Sequence, residues 1–435
     1  MPLSGDGNQA RLKILVLHAL GPVAARFAGV EDVELLFPKY DPQNEYLVHD
    51  AALPLPAIVA EYPFDAALLT STFLDKLKYL SFESPTMRQW DFLRRNELVT
   101  VALPQDDYWL SSVRDRFYCD YKINHVFPIC QKETWKELYP RYFEASRRCM
   151  HQGFTTYVTP KALALGQFSE PWTTRRLDVV YRASGRPTVP NDLGYLKADI
   201  GARFLRAQAS RENLITDIST APERMIKGDD WYGFVGSSKA ILGTPSGSSI
   251  NVRDMEKMAS ITSETRRMPD VPPSEIASLC LPEEDRSQQY TCLSPRNIEA
   301  ALLGTLQILV PGDYGGVLIE SEDYVPLLPD CSNIGEVLRV IKDEDKALEI
   351  VNSCRKKILS FRPIGHEDHI RKVIEEIRAS LQEKEESPYP FGLLKEKYER
   401  RLILSKSKHY PLTKLKSAGR YLKQALAGRK VDNGS

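Results

Sequence analysis

Short apolar runs alternate with longer polar or amphipathic stretches along the whole chain. Runs of strand length occupy residues 13–17, 33–37, 66–70, 99–103, 124–127, 154–158, 177–181, 213–217, 240–243, 306–310 and 324–328. Apolar residues at helical spacing occupy 195–207, 295–303 and 333–340. Near-continuous apolar strands separated by helix-length connections are typical of a parallel sheet covered on both faces. The pattern therefore predicts an α/β protein of two doubly wound, Rossmann-like domains that face a cleft.

The length of 435 residues fits two domains, since a domain usually has roughly 100–200 residues. We expect three parts: an N-terminal domain at 1–165, a second domain at 166–365, and C-terminal helices with a basic tail at 366–435. Residues 160–176, which include Pro160, Pro171 and Trp172, are predicted to form the hinge. Residues 251–292 are polar and show no clear period, so a loop or insertion is expected there.

Composition narrows the class of protein. The chain has 58 basic and 58 acidic side chains, and this balance argues against a general nucleic-acid binder. No apolar run approaches the roughly 20 residues that span a bilayer, and the N-terminal residues lack a signal-peptide layout. The seven cysteines include no Cys-x-x-Cys pair and are expected to be reduced thiols. We expect a cytoplasmic protein that binds no nucleic acid.

The average charge hides a basic tail. From position 391 onward the chain has twelve basic and three acidic residues, a net charge of +9, which leaves −9 for the remainder. Leu415, Ala418, Leu422 and Ala425 recur there at helical spacing. Residues 395–430 could therefore lie on an anionic membrane surface, which would make the protein peripheral at the inner membrane face. A solvated terminal helix packed on the body explains the same pattern equally well.

Ligands of doubly wound sheets bind outside the carboxyl ends of the strands, so the loops that follow strands matter most. In the segment beginning at Cys292, Ser294 suits a helix N-cap and Pro295 the first helical position. The N–H groups at 295–297 would suit a phosphate, with Arg296 beside them. Glu299, one turn later, could accept hydrogen bonds from ribose hydroxyls or could simply complement the helix dipole.

This segment resembles the Glu-Ala-x-x-x-Gly-Thr/Ser helix and strand of GT-B glycosyltransferases. From about 95 to 360 the chain is similar to bacterial glycosyltransferase-like proteins of the CgeB-related, group 1-like kind. The shared-looking stretches are Pro104-Gln-Asp-Asp-Tyr-Trp, Gly228-Asp-Asp-Trp-Tyr-Gly-Phe-Val-Gly-Ser, Leu242-Gly-Thr-Pro-Ser-Gly-Ser-Ser-Ile, Arg296-Asn-Ile-Glu-Ala and Pro311-Gly-Asp-Tyr-Gly-Gly-Val-Leu. The resemblance implies a donor site in the second domain, an acceptor site in the first, and a ribose contact for Glu299.

The resemblance also suggests which residues bind the donor. An Arg and a Lys after the first strand of the second domain would neutralise its diphosphate, where negative charge develops as the nucleotide departs. The donor-site candidates are Arg182, Arg186, Lys197, Ser246, Gly247, Ser248, Arg296, Asn297, Glu299 and Gly315. Surface arginines and plain turns remain open as alternatives for the loop residues.

The first domain offers candidates for a general base. Asp106 and Asp107 follow the strand at 99–103, and a carboxylate there could deprotonate an acceptor hydroxyl; a helix N-cap is the alternative. His18 ends the first strand and could touch the donor sugar or act as a base, or be a buried, hydrogen-bonded histidine. Retention and inversion both stay open, because Thr291 occupies the position eight before Glu299, where many retaining relatives have a second Glu.

Two metal-like signals are set aside. Asp343-Glu-Asp345 lies in a charged run, and His366-Glu-Asp-His369 fits an exposed first helical turn. We therefore expect no metal and no cofactor. The interpretation is a metal-independent glycosyltransferase that moves a sugar from a nucleotide-activated donor to a glycan or lipid-linked saccharide, in cell-surface polysaccharide synthesis. The alternatives are a nucleotide-sugar epimerase or hydrolase on the same fold, and a catalytically silent two-lobed binding or scaffold protein.

Overall fold

The first domain is built on a parallel sheet. The computed structural model describes residues 10–21, 27–146, 149–187, 189, 191–209, 211, 214–281, 289–383 and 389–409, with side chains as far as 402. Five strands pair in the order β2-β1-β3-β4-β5: β1 (Lys13–His18), β2 (Glu45–Asp50), β3 (Ala66–Leu69), β4 (Val99–Ala102) and β5 (His125–Val126). Around them lie α1 (Val30–Glu34), α2 (Leu36–Tyr40), α3 (Ala57–Ala60), α4 (Ser71–Leu77), α5 (Pro85–Arg88), α6 (Ser111–Asp120), α7 (Trp135–Leu138), α8 (Pro140–Ser146) and α9 (Pro160–Leu163).

The second domain repeats the architecture. Its strands are β6 (Leu177–Arg182), β7 (Thr216–Ser219), β8 (Ser238–Gly243), β9 (Ser246–Ser248), β10 (Tyr290–Cys292), β11 (Leu306–Leu309) and β12 (Val325–Pro326). The parallel sheet has the order β12-β11-β8-β6-β7, while β9 and β10 form a separate antiparallel pair. The helices are α10 (Asp192–Ala209), α11 (Asp230–Gly236), α12 (Met255–Arg267), α13 (Pro273–Cys280), α14 (Pro295–Leu302), α15 (Ile334–Lys342) and α16 (Glu344–Ser360).

The last two helices return to the first domain. Helix α17 (His366–Ala379) buries Ile370, Val373 and Ile377 in the same apolar cluster as residues of β1 and β3. Helix α18 (Phe391–His409) adds Phe391, Leu394 and Tyr398 to the other face of that sheet. Among the helices that the structure describes, none combines the length and apolar character needed to cross a membrane. The tail predicted to bind membranes lies mostly outside the described residues.

The expected class is confirmed, since two Rossmann-like domains with parallel sheets are present. The strand predicted at 33–37 is wrong, because these residues lie in α1 and α2. A short apolar run does not separate helix from strand, and the strand β2 comes later. Residues 154–158 form no strand either, apart from an isolated bridge between Val158 and Gly365.

Two other segments differ from expectation. Within the region 251–292, where a loop or insertion is expected, residues 255–267 and 273–280 form the helices α12 and α13, and residues 282–288 lie outside the described residues. Helix α12 buries only Ile261, so the helical spacing of apolar residues is weak in its sequence. The strand predicted at 213–217 is β7, shifted to Thr216–Ser219, and residue 213 itself lies outside the described residues.

A buried guanidinium, that of Arg175, fixes the elements beneath the cleft of the second domain. Its Nη1 donates to the carbonyl oxygens of Ser238 (2.8 Å) and Gly304 (2.9 Å), and its Nη2 to that of Leu303 (3.1 Å). These carbonyls stand at the start of β8 and just after the end of α14. Arg175 therefore holds α14 at a set height against the sheet.

Replacing Arg175 with Met should lower the free energy of unfolding by roughly 2–5 kcal/mol, because buried carbonyl oxygens would lose their donor. The neighbouring exposed Arg176 supplies a matched control, and its replacement with Met should change stability by less than about 0.5 kcal/mol. Urea unfolding of both variants measures the difference. Equal losses in the two variants would contradict this role.

Candidate functional site

A small polar cavity opens where the carboxyl ends of β6 and β8 meet the start of α14. Its volume is only about 30 Å³, and its mouth opens to solvent. Its polar wall is formed by Tyr181, Lys197, Thr244, Ser246, Ser294 and Arg296. This is the position that the strand-end rule selects for ligands of a doubly wound sheet.

Lys197 is the cation of this cavity without a fixed partner. It is partly buried on α10, and its Nζ has no hydrogen bond or ion pair with any residue that the structure describes. Burial and the nearby Arg296 lower the pKa of Lys197 to about 8, while the carboxylate of Asp106 opposes that shift. Thr244 adds a buried hydroxyl oxygen that likewise has no hydrogen-bond partner in the described part of the chain. Both groups are available to a ligand.

The positive end of α14 closes the cavity, but its amides are already used. Ser294 Oγ accepts from the N–H of Arg296 (3.4 Å), and Asn297 Oδ1 accepts from the N–H of Ser294 (3.2 Å). The side-chain amide of Asn297 also donates to Gln307 Oε1 (2.8 Å). The expectation of free N–H groups at 295–297 is therefore not met, and Asn297 is occupied in a capping box. What remains for an anion is the helix dipole and the side chain of Arg296.

The two arginines predicted to neutralise a diphosphate are paired elsewhere. Arg182 is buried and donates to the Asp217 carboxylate (2.7 Å) and to the Asp217 carbonyl oxygen (2.8 Å). Arg186 is exposed and forms an ion pair with Asp199 (2.8 Å). Arg182 still contributes its carbonyl oxygen, which accepts from Nη1 of Arg296 (2.6 Å) and orients that side chain. Lys197 and Arg296 are thus the cations at the cavity.

The Ser-Gly-Ser segment is the strand β9, and only its first residue lines the cavity. Gly247 has φ of +134°, and a Cβ at this position would overlap the carbonyl oxygen of Tyr290 in β10. Ser248 is buried and accepts from the N–H of Ile250 (3.2 Å). Gly247 and Ser248 therefore serve the antiparallel pairing of β9 with β10, and Ser246 remains as a ligand candidate.

Gly315 is needed for a turn. Its φ of +69° lies in the left-handed region, and a Cβ there would press against Leu293 at 3.2 Å. The preceding Asp313 was not selected from the sequence, yet its carboxylate accepts from the hydroxyl of Thr291 (3.2 Å) and from the side-chain amide of Gln131. The strand-end rule could have found both residues, because Asp313 follows β11 and Gln131 follows β5.

Glu299 is a buried carboxylate at the meeting of the two domains. Its Oε2 accepts from Nε1 of Trp231 (2.8 Å), and its Oε1 lies 3.6 Å from the position that a Cβ would take on Gly29 of the first domain. Burial raises the pKa of Glu299 to about 7, although the Trp231 hydrogen bond and Arg296 favour the ionised form. The other carboxylate oxygen therefore lies at the contact with the first domain, and Glu299 is not among the described residues that line the cavity.

Asp106 and Asp107 differ in burial and in their hydrogen-bond partners. Asp107 is fully buried and accepts from the N–H of Ile129 (2.7 Å) and the hydroxyl of Tyr139 (2.6 Å), so it is a structural carboxylate. Asp106 is exposed, has φ of +49°, and accepts from the hydroxyl of Tyr108 (2.8 Å) through Oδ1 alone. Its charge raises the pKa of Lys197 of the other domain, against the larger lowering by burial and by Arg296.

His18 lies at the carboxyl end of β1, as expected. Its Nδ1 accepts from the N–H of Leu20 (3.1 Å), and burial together with the nearby His18 ring lowers the pKa of His49, on the adjacent strand β2. Neither His18 nor Asp106 is among the described residues that line the cavity. Of the two, Asp106 is the one whose charge raises the pKa of Lys197 at the cavity wall, and this favours Asp106 as the candidate base.

Comparisons with known proteins show similar solved structures but no family. The chain matches no protein-family model and no curated relative. It is similar to the structure of a glycosyltransferase from Rickettsia africae ESF-5, with 12% identity and a TM-score of 0.46 over 86% of this chain and 100% of that one. An alpha-glucosyltransferase in complex with UDP-glucose and DNA has 9% identity and a TM-score of 0.49 over 85% and 100%. A UDP-N-acetylglucosamine 2-epimerase has 10% identity and a TM-score of 0.40 over 88% and 100%.

The raised pKa of Glu299 should appear in the pH dependence of stability. A carboxyl whose pKa rises from 4.5 to about 7 on folding stabilises the fold below about pH 4.5, and this contribution is lost as pH rises through 7. Relative to Glu299→Gln, the wild type should lose about 3 kcal/mol of unfolding free energy between about pH 4 and pH 8. Urea unfolding across this range measures the difference. A pH-independent difference between the two proteins would contradict the assignment.

Proposed function

We propose that this protein transfers a glycosyl group from a nucleotide-activated sugar, with the donor diphosphate in the cavity of the second domain. The observation that supports this most is Lys197, a partly buried cation beside the positive end of α14 that has no hydrogen bond or ion pair with any described residue. The charge of Asp106 favours its ammonium form. Taking a charge out of water without a partner is costly, so a site that keeps such a cation is suited to a ligand of opposite charge.

Each of the other candidate groups would bind a different part of the donor. Arg296 and Lys197 would bind the diphosphate and stabilise the charge that develops on it as the glycosidic bond breaks. The Thr244 hydroxyl, buried without a partner, would donate to a phosphate oxygen. Glu299 would accept from the ribose hydroxyls through the oxygen that Trp231 leaves open. These two cations provide the charge for a metal-independent departure of the nucleotide.

Asp106 would act on the acceptor. One oxygen of its carboxylate accepts from the Tyr108 hydroxyl, and the residue as a whole is exposed. A carboxylate held in this way suits a general base that removes the proton of an attacking hydroxyl. We propose a glycan or lipid-linked saccharide as the acceptor, in cell-surface polysaccharide synthesis. A basic segment at 395–430 would then hold the enzyme near the inner membrane face.

The donor site is tested by thermal stabilisation with UDP, GDP, ADP, dTDP and CMP. One nucleotide should raise the melting temperature clearly above the others. Lys197→Met should weaken that nucleotide roughly ten- to hundredfold, the loss of a charge-assisted hydrogen bond to phosphate. Arg186→Met is the matched control and should bind as the wild type does, since Arg186 is paired with Asp199 at the surface. No shift by any nucleotide would overturn the donor site and favour a silent scaffold.

The role of Asp106 is tested with the nucleotide sugar that the panel selects. Asp106→Asn should lower kcat roughly 10²- to 10⁴-fold and leave the nucleotide dissociation constant unchanged, because the base is absent while the donor cavity is intact. Asp229→Asn, at an exposed position of the second domain, is the control and should keep full activity. Turnover is measured with and without a mixture of saccharide acceptors. Donor conversion that is the same without acceptor would identify an epimerase or hydrolase instead.

A further inference from the structure

A cluster of two histidines and a glutamate lies at the edge of the first sheet opposite the cleft. His125 is the first residue of β5, so it stands at the amino end of that strand. His151 follows Met150, which makes a parallel bridge to Val126 of β5. Glu376 comes from the last part of α17, more than 200 residues later in the chain. None of the three belongs to the proposed glycosyl-transfer site.

The atoms of this cluster have the spacing of a metal site. Nδ1 of His125 lies 3.2 Å from Nε2 of His151, and one ligand atom from each of the three residues lies within 4.8 Å of the others. Oε2 of Glu376 is 3.9 Å from Nδ1 of His125. Two nitrogens bound tetrahedrally to zinc at about 2.0–2.1 Å stand about 3.3 Å apart. The two nitrogens lie within hydrogen-bonding distance of each other, and this separation is also the one that a pair of zinc ligands requires.

The surroundings orient the imidazoles. Nε2 of His125 is 2.9 Å from Oγ of Ser380, and donation there leaves the lone pair of Nδ1 facing the cluster. Phe127 stacks on the ring of His151 with centroids 4.8 Å apart.

Glu376 completes the donor set and leaves an entry path. Its Oε1 accepts from Nζ of Lys372 (2.5 Å), while Oε2 is the oxygen nearer His125. The side chain of Lys372 is half exposed and can turn away into solvent. The side chains of His151 and Glu376 are 13% and 22% exposed, so an ion can reach the cluster from outside.

We propose that His125, His151 and Glu376 bind one divalent transition-metal ion of the zinc class, which fastens α17 to the first domain. The two-histidine, one-carboxylate set is a zinc donor set, and water would fill the fourth position. This site differs from the His366–His369 pair, whose composition in the sequence resembles a metal site. Nδ1 of His366 donates to the carbonyl oxygen of Val158 (2.9 Å), and His369 is buried against Tyr157 rather than exposed.

The test uses untagged full-length protein, freed of metal by a chelator and titrated with Zn²⁺ against a chromophoric competitor. We expect one equivalent to bind and to raise the melting temperature. Glu376→Gln should weaken Zn²⁺ binding roughly ten- to hundredfold or more. Glu375→Gln is the matched control: it removes the adjacent, exposed carboxylate of the same helix and should leave the affinity unchanged.

A second variant, His151→Gln, guards against a folding defect in the first, and both are checked for the wild-type melting temperature without metal. The visible spectrum of Co²⁺ bound in place of zinc should show four-coordinate ligation in the wild type and lose it in both variants. Failure to bind an equivalent of Zn²⁺, or equal affinity in Glu376→Gln and Glu375→Gln, overturns the proposal. Either result would leave the proposed glycosyl transfer untouched.

Discussion

The burial of β10 in the first domain is the constraint on which the site depends. Tyr290 and Cys292 belong to the second domain along the chain, yet they pack in the apolar core of the first. Between them, the Thr291 hydroxyl accepts from the side-chain amide of Gln131, and the Thr291 N–H donates to Oε1 of Gln131. The register of the strand is therefore set by hydrogen bonds as well as by packing. Ser294, the N-cap of α14, comes two residues after this strand. The position of α14 at the cavity therefore follows from an interaction between domains.

The charged residues near the cleft differ in how completely they are paired. Asp107 and Arg182 are deeply buried and each has several partners, which repay the cost of removing a charge from water. Asp106 and Lys197 stand across the cleft from each other with much of their bonding capacity open. An exposed carboxylate keeps its hydration, and a partly buried ammonium keeps some of it. Ligands can therefore take over these groups without breaking the core.

Sequence reasoning found the strands that begin the ligand-binding loops, since runs such as 99–103 and 177–181 are apolar throughout and short. The resemblance to GT-B glycosyltransferases also names Lys197 and Glu299 as donor candidates, and their contact with a donor stays a prediction. Sequence reasoning could not tell Asp106 from Asp107, whose difference comes from Ile129 and Tyr139, far along the chain. The strand prediction at 33–37 was wrong for a related reason: a short apolar run suits both a strand and a helix, and only tertiary packing selects between them.

Burial moves the pKa values of Glu299 and Lys197 toward each other. The pKa of Glu299 rises to about 7 and that of Lys197 falls to about 8, so both groups are mainly charged only in the interval between these values. A diphosphate would favour the ammonium form of Lys197, and ribose hydroxyls would favour the carboxylate form of Glu299. A bound nucleotide would therefore widen the interval from both sides. The donor would favour the charged forms of Glu299 and Lys197, which burial disfavours. Part of the binding free energy of the donor would be used to charge these groups.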